Sequence, residues 1–242
     1  MLKYKDFFIL GILDKVNLAN VEQLTLLAGF RDSSVMRKRL NKLIEEGYIY
    51  SGWIGAHKAY ALTMKGLSEL ERTRKPYEMR GIKSEHEELV TEAACWIYAR
   101  SDRSIMEMLF DHEINSLSEF KNTGHRPDIV YTSHQCLEVE ISSKATSSYG
   151  GKSRLEENFK SNIKNYGRQT WIIPDHKKGL NKRLLQLAEK YNVTRYCRVM
   201  TIEEMKQEIS LFNRMLNSPR MEPVRGIPLP RTRKIMEVRL DD

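Results

Sequence analysis

Asp128, Glu138 and Glu140 are the residues of this chain whose types and spacing bear most directly on chemistry. They fall in the stretch HRPDIVYTSHQCLEVEISSK, residues 125–144. Ile129, Val130 and Tyr131 on one side, and Leu137, Val139 and Ile141 on the other, read as two strands that face a core. Glu138 and Glu140 are two apart, so a strand turns both to one face. Like charges side by side on a sheet repel unless something positive holds them together. The face is therefore either fully solvated or built for a metal ion. Three hard oxygen ligands suit Mg²⁺ or Mn²⁺ better than zinc. Such an ion polarises a phosphodiester, lowers the pKa of an attacking water and offsets charge on the leaving oxygen.

Asp128 joins the two glutamates only if the hairpin register is even, with partner numbers summing to 266 or 268. That calls for an odd loop, most simply three residues at 132–134 or 133–135. A two-residue turn at Ser133 and His134 pairs Asp128 with Val139 instead and hides it from the glutamates. Around the hairpin stand further candidates. Lys144 has the strand parity of Glu140 and offers a positive charge. Glu85 and His86, at the start of a helix expected over 85–100, can hold a water or support a ligand, or simply cap the helix. His125 and Arg126 precede the acidic strand and can meet a phosphate or line a surface loop. Lys160 and Lys164 are one turn apart on the next helix and face either DNA or solvent. The six histidines include no H-x-H pair, and the 11 tyrosines are too many to nominate a nucleophile.

These side chains need elements to hold them. Residues 5–16 read as a helix, and a second helix follows with Asn20 as N-cap, Gln23 as its capping-box partner and Gly29 as its stop. A third is capped by Asp32 or Ser33, repeats Met36, Leu40, Leu43 and Ile44 on one face, and ends at Gly47. Its other face presents Ser34, Arg37, Lys38, Asn41 and Lys42. Two short strands around a Gly-containing turn come next, with His57 and Lys58 near the tip. Three helices followed by a hairpin is the order of a winged helix-turn-helix, whose third helix enters the DNA major groove. Residues 1–75 are assigned to this head and 76–84 to a linker. Residues 85–216 read as α-β-β-β-α-β-α-β-α, with strands over 104–110, 127–132, 136–142, QTWIIP and YCRVM, and helices over 153–166, 178–191 and 202–216. An antiparallel start followed by crossovers requires a mixed sheet. The expected fold class is α+β. A capping box from Ser84 to Glu87 opens the 85–100 helix. Residues 217–242, Pro-containing and basic, read as an extended arm.

Composition narrows the partners. The chain has 242 residues, a net charge of +8 and a pI near 9.3, moderately basic and compatible with an anionic partner. The head carries most of the excess: residues 1–80 hold 14 basic and 9 acidic side chains. Three widely spaced cysteines without a C-x-x-C pair fit buried thiols in a reducing cytoplasm. No apolar run approaches the roughly 20 residues that span a bilayer, which argues against membrane insertion.

Pro127-Asp128, Glu138 and the order of elements resemble the PD-(D/E)xK nuclease superfamily, whose core is α-β-β-β-α-β. Glu140 stands where that family usually has its lysine, a departure shared by some restriction endonucleases with an E-x-E pattern. With a winged helix in front, the architecture is similar to the MobC-type relaxases of mobilisable plasmids. The resemblance implies metal-dependent nicking of double-stranded plasmid DNA at a transfer origin. Asp128, Glu138 and Glu140 would then be metal ligands, and either Glu140 or Lys144 the base. An accessory mobilisation protein or a coupling protein is the implied protein partner. The other class of function is a non-enzymatic replication or transcription regulator with a degenerate nuclease-like domain. Three retained carboxylates favour the enzyme, because burying them has an electrostatic cost.

Overall fold

The computed structural model describes residues 2–101, 103–115, 125–141, 148–149 and 152–216. Lys144 and the expected arm over 217–242 lie outside the described residues. The chain is mixed α+β, with a three-stranded antiparallel sheet near the N-terminus and a five-stranded mixed sheet after it.

The first helix, α1 (Tyr4–Val16), buries Ile9, Leu10, Ile12, Leu13 and Val16. It stops at Asn17, whose φ of 63° no helix continues. A two-residue strand, β1 (Ala19–Asn20), leads into α2 (Val21–Leu27). The expected capping box is present: Asn20 Oδ1 accepts from the Gln23 N–H and Gln23 Oε1 from the Asn20 N–H, both at 2.9 Å. Gly29 at φ 66° then turns the chain, as a C′ residue must. Asp32 caps α3 (Ser33–Glu45), accepting from the Ser34 N–H at 2.7 Å. Strands β2 (Ile49–Ile54) and β3 (His57–Leu62) pair antiparallel, and β1 adds to β3, so the order is β1-β3-β2. A short helix, α4 (Met64–Glu69), was not foreseen; Thr63 caps it through the Gly66 N–H. It docks so closely that a Cβ on Gly66 would lie 2.2 Å from the Tyr48 carbonyl oxygen.

At the end of the head Arg72 and Arg74 both clamp the buried Asp14, at 2.7 and 3.0 Å, and the segment expected as a linker packs down after them. Tyr77 and Met79 pack on Leu18, Ile54, Ala59 and Ala61. Helix α5 (Gly81–Arg100) starts four residues earlier than expected. Ser84 is not its cap but a buried residue of its first turns, 3.5 Å from the Tyr77 hydroxyl. The expected stripe of Leu89, Ala93, Trp96 and Ile97 is packed, and Val90, Thr91, Ala94 and Cys95 are buried as well. Burial around most of the helix follows from its position, with the head on one side and the large sheet on the other. One apolar cluster runs from Ile9 and Leu13 of α1 through Val90 and Ala94 of α5 to Ile129, Leu137 and Ile172 of the sheet. Polar links reinforce it: Asn17 donates to Glu87 at 3.0 Å, Gln23 to Glu92 at 2.7 Å, and Thr91 to the Leu18 carbonyl at 2.7 Å.

The strand expected over 104–110 is reduced to a 3₁₀ turn at Ile105–Glu107 and a two-residue strand, β4 (Leu109–Phe110). Ser104 and Glu107 form a capping box there, which takes the backbone groups a longer strand would use. After α6 (Asp111–Ile114) come β5 (Ile129–Thr132) and β6 (Gln135–Val139), then a small hairpin of β7 (Ser148–Tyr149) and β8 (Lys152–Ser153). The remaining elements are α7 (Arg154–Tyr166), β9 (Arg168–Ile173), α8 (Lys178–Lys190), β10 (Cys197–Thr201) and α9 (Ile202–Leu216). Sheet order is β10-β9-β6-β5-β4, parallel from β10 to β6 and antiparallel from β6 to β4, the mixed sheet expected. One face carries Leu137, Val139 and Ile172 against α5 and α9; the other carries Trp171 and Ile173 against α7 and α8. No helix among the described residues is long and apolar enough to cross a membrane.

Candidate functional site

The β5–β6 register decides what Asp128 meets. Ile129 pairs with Leu137 and Val130 with Cys136, so the sum is 266 and Asp128 stands level with Glu138. The turn itself is the two-residue one, closed by Thr132 and Gln135. Parity is restored by a bulge at Tyr131, which adds one residue to β5. Without it Ile129 would face Glu138, and the two strands would present mismatched faces to the core. The expected register is therefore reached by a bulge rather than by an odd loop.

Asp128 is fixed on two sides. Its Oδ2 accepts from the Val139 N–H at 2.7 Å, and its Oδ1 lies 3.5 Å from His86 Nε2. His86 Nε2 also lies 3.0 Å from the Val139 carbonyl oxygen, so α5 delivers an imidazole to the end of the hairpin. Glu138 is buried and its Oε2 is 3.1 Å from His125 Nε2. Glu140 follows the last residue of β6, half-buried, with its N–H donating to the Ile172 carbonyl at 2.9 Å.

Electrostatics separate these groups. Burial, then the neighbouring Asp128 and Glu140 carboxylates, push the Glu138 carboxyl well above the usual range. Burial alone would lower His86, but the hydrogen bond and charge of Asp128 carry it up to about 9. Burial brings His125 down to about 4, although Asp128 pulls the other way. At neutral pH an imidazolium thus stands beside Asp128 and a neutral imidazole beside Glu138, whose carboxyl is held well above its usual range.

Of the candidates named from the sequence, Asp128, Glu138, Glu140, His86 and His125 come together. Glu85 is exposed, and its neighbour Glu87 turns inward to Asn17. Arg126 is half-buried and close enough to lower the pKa of Asp111, which burial and Asp128 raise. Lys160 turns to Glu156, at 3.7 Å, and to the Tyr191 ring. Among the described residues no group of three His, Cys, Asp or Glu side chains gathers around one point as metal ligands do. The expected cluster of three carboxylates is instead an aligned pair, because Asp128 is turned to the Val139 N–H and His86 and Glu138 to His125. The donors present, carboxylate oxygens with a buried amide nearby, remain of the type a hard divalent cation takes.

Sequence reading missed Asn162 and gave His125 too small a part. Asn162 is wholly buried on α7 beside Glu138, where its amide works against the larger upward push of burial on that carboxyl. Its signal was available: it interrupts the buried stripe Leu155, Phe159, Tyr166 at helical spacing. On the head, Ser34, Arg37, Lys38, Asn41 and Lys42 are all exposed along α3, and His57 and Lys58 are exposed at the start of β3. Arg37 pairs with Glu22 at 3.1 Å and Lys42 with Glu46 at 3.6 Å, both in solvent, where such pairs hold weakly. Trp53, opposite Lys58 on β2, is 72% exposed.

Comparison with known proteins adds no assignment: no family model, no curated protein and no solved structure matches this chain.

Proposed function

We propose that this protein is a metal-dependent DNA nickase with a winged-helix head and a PD-(D/E)xK-like core. Its resemblance to plasmid relaxases suggests a transfer origin as the target. The observation that carries the reading is the alignment of Asp128 with buried Glu138, produced by a bulge and served by His86 from α5. Setting a half-buried carboxylate level with a buried one has an electrostatic cost that a bound cation would offset. When bound there, Mg²⁺ or Mn²⁺ supplies a Lewis acid for the phosphodiester and a more acidic water. Asp128 and Glu138 would hold the ion, with Glu140 the third oxygen donor. His86 orients Asp128, and His125, in contact with Glu138, and its neighbour Arg126 would meet the phosphate. The exposed basic face of α3 would bind the duplex through its phosphates.

One observation favours the other class, a DNA-binding regulator without catalysis. The His86 imidazolium already balances Asp128, and the family lysine is replaced by Glu140. Incubation with supercoiled plasmids carrying a transfer origin, with and without Mg²⁺ or Mn²⁺, separates the two. Relaxed circles are expected with metal from the wild type, and none from Asp128→Ala or Glu138→Ala, while all three bind DNA. Equal nicking by all three proteins, or binding without nicking by the wild type, sinks the nickase.

A further inference from the structure

Trp53 is the one tryptophan of three that the fold leaves in solvent: it is 72% exposed, while Trp96 and Trp171 are buried. It stands near the tip of the β2–β3 hairpin, paired with Lys58, and Gly55 at φ 55° turns the chain just beyond. The third strand, β1, reaches only to Ala59, so residues 53–58 project past the sheet. The back of this projection is pinned. Ile54 and Ala59 pack with Tyr77 and Met79, and a Cβ on Gly52 would lie 2.9 Å from the Met79 sulfur. The indole therefore lies on the opposite face, the one it shares with Lys58 and Tyr60.

That face leads to the basic side of α3. Lys58 Nζ sits 5.7 Å from the Tyr60 ring centroid, and the charges of Arg37 and Glu22 act on the Tyr60 hydroxyl. Arg37, Tyr60, Lys58 and Trp53 thus run in one line from the helix to the hairpin tip. The cations on this line suit a polyanion, and the exposed Arg37–Glu22 pair is weak enough to exchange for a phosphate. The indole adds what phosphate binding does not use, a flat apolar surface. Every base has a π-face, and stacking one on an aromatic side chain gains about 5- to 150-fold in affinity. In a paired duplex that face is already stacked, and prising a step open costs a comparable amount. The gain is kept only where a base is already free. We propose that Trp53 is a stacking platform for one unpaired base of the bound DNA, with Lys58 beside it to meet that nucleotide's phosphate. The proposal rests on the head being a DNA-binding module and is independent of whether the core cuts.

The test titrates the full chain, without metal, against two labelled duplexes of one sequence, one fully paired and one with a single-nucleotide bulge. The wild type should bind the bulged duplex about 5- to 150-fold more tightly. Trp53→Ala should bring the two affinities to near parity, and Trp53→Phe should keep most of the preference. Each protein is compared with itself on the two DNAs, so a general loss of affinity does not enter. Tryptophan emission reads the contact directly, since Trp96 and Trp171 are buried. The bulged duplex should quench it in the wild type and not in Trp53→Phe. Equal binding of both duplexes by the wild type, or a preference that survives in Trp53→Ala, overturns the platform and leaves the phosphate contacts of α3 standing. Failure of the wild type to bind either duplex overturns the head as a DNA-binding module and the platform with it. Self-association of the wild type that Trp53→Ala abolishes, seen by sedimentation, would give the indole to a second copy of the chain instead.

Discussion

Replacing Glu138 by Gln keeps the size of the side chain and its ability to hydrogen-bond His125, but leaves nothing to ionise. Glu138 and Asp128 are level on neighbouring strands, where Cβ atoms lie about 5 Å apart. Two full charges at that separation repel by about 3 kcal/mol at an effective dielectric constant near 20. Burial first, and the neighbouring Asp128 carboxylate after it, raise the Glu138 carboxyl well above its ordinary value. Its folded pKa is raised, so its contribution to stability is intact below the ordinary carboxylate value of 4.5 and is lost as pH rises towards the folded value. Glu138→Gln should therefore match the wild type near pH 4 and exceed it at pH 8. The gain at pH 8 should be about 1–3 kcal/mol, the lower end allowing for the offset from His86. Urea unfolding at the two pH values measures it. Metal reverses the order: Mn²⁺ at a hundredfold excess over its Kd should stabilise the wild type by about 2.7 kcal/mol and the variant far less. If the variant is no more stable than the wild type at pH 8, or if Mn²⁺ stabilises both equally, the argument from paired carboxylates is wrong.

Changing Arg37, Lys38 and Lys42 together to Ala should weaken DNA binding and flatten its salt dependence by about one unit of log slope per lost phosphate contact, read from a fluorescence titration at several salt concentrations. An unchanged slope would take α3 off the DNA. Gly66→Ala should destabilise the fold by about 1–3 kcal/mol, because the neighbour of the added methyl is the Tyr48 backbone carbonyl, which cannot swing aside; an unaltered denaturation midpoint would contradict the close docking of α4. Glu140→Gln should cut plasmid nicking by about 10²-fold or more and do more harm than Lys144→Ala. The opposite ranking would make Lys144 the displaced family lysine.

What could be read from the sequence depended on how many sides an element buries. Helices α8 and α9 each have one buried face, and their expected spans of 178–191 and 202–216 differ from the observed ones by at most one residue. Strands β9 and β10 carry short apolar stretches, Trp171 to Ile173 and Val199 to Met200, and were equally legible. Helix α5 was harder, since burial on both sides spreads its apolar residues around the axis and a charged lead-in, Arg80 to Glu85, hides its start. Short elements such as α4 and β4 carry too few residues to show a period. At the site, residue types identified Asp128, Glu138 and His86. Their meeting depended on a bulge at Tyr131, and no feature of the sequence reveals a bulge that substitutes for a longer loop. Asn162 is harder to single out, because its face of α7 also buries Asn158 and the sequence does not say which of the two meets Glu138.

The apolar cluster that joins α1 to α9 also governs the order in which the protein is made. As the ribosome releases the chain, the head is complete by Glu69, yet Leu24 and its neighbours remain uncovered until α5 has emerged. Met205 and Ile209 of α9 close the same cluster more than a hundred residues later. Contacts so distant along the chain form slowly, because the intervening segment must lose its freedom first. The nascent head would therefore spend much of translation with a sticky inner face, the kind of surface that chaperones hold.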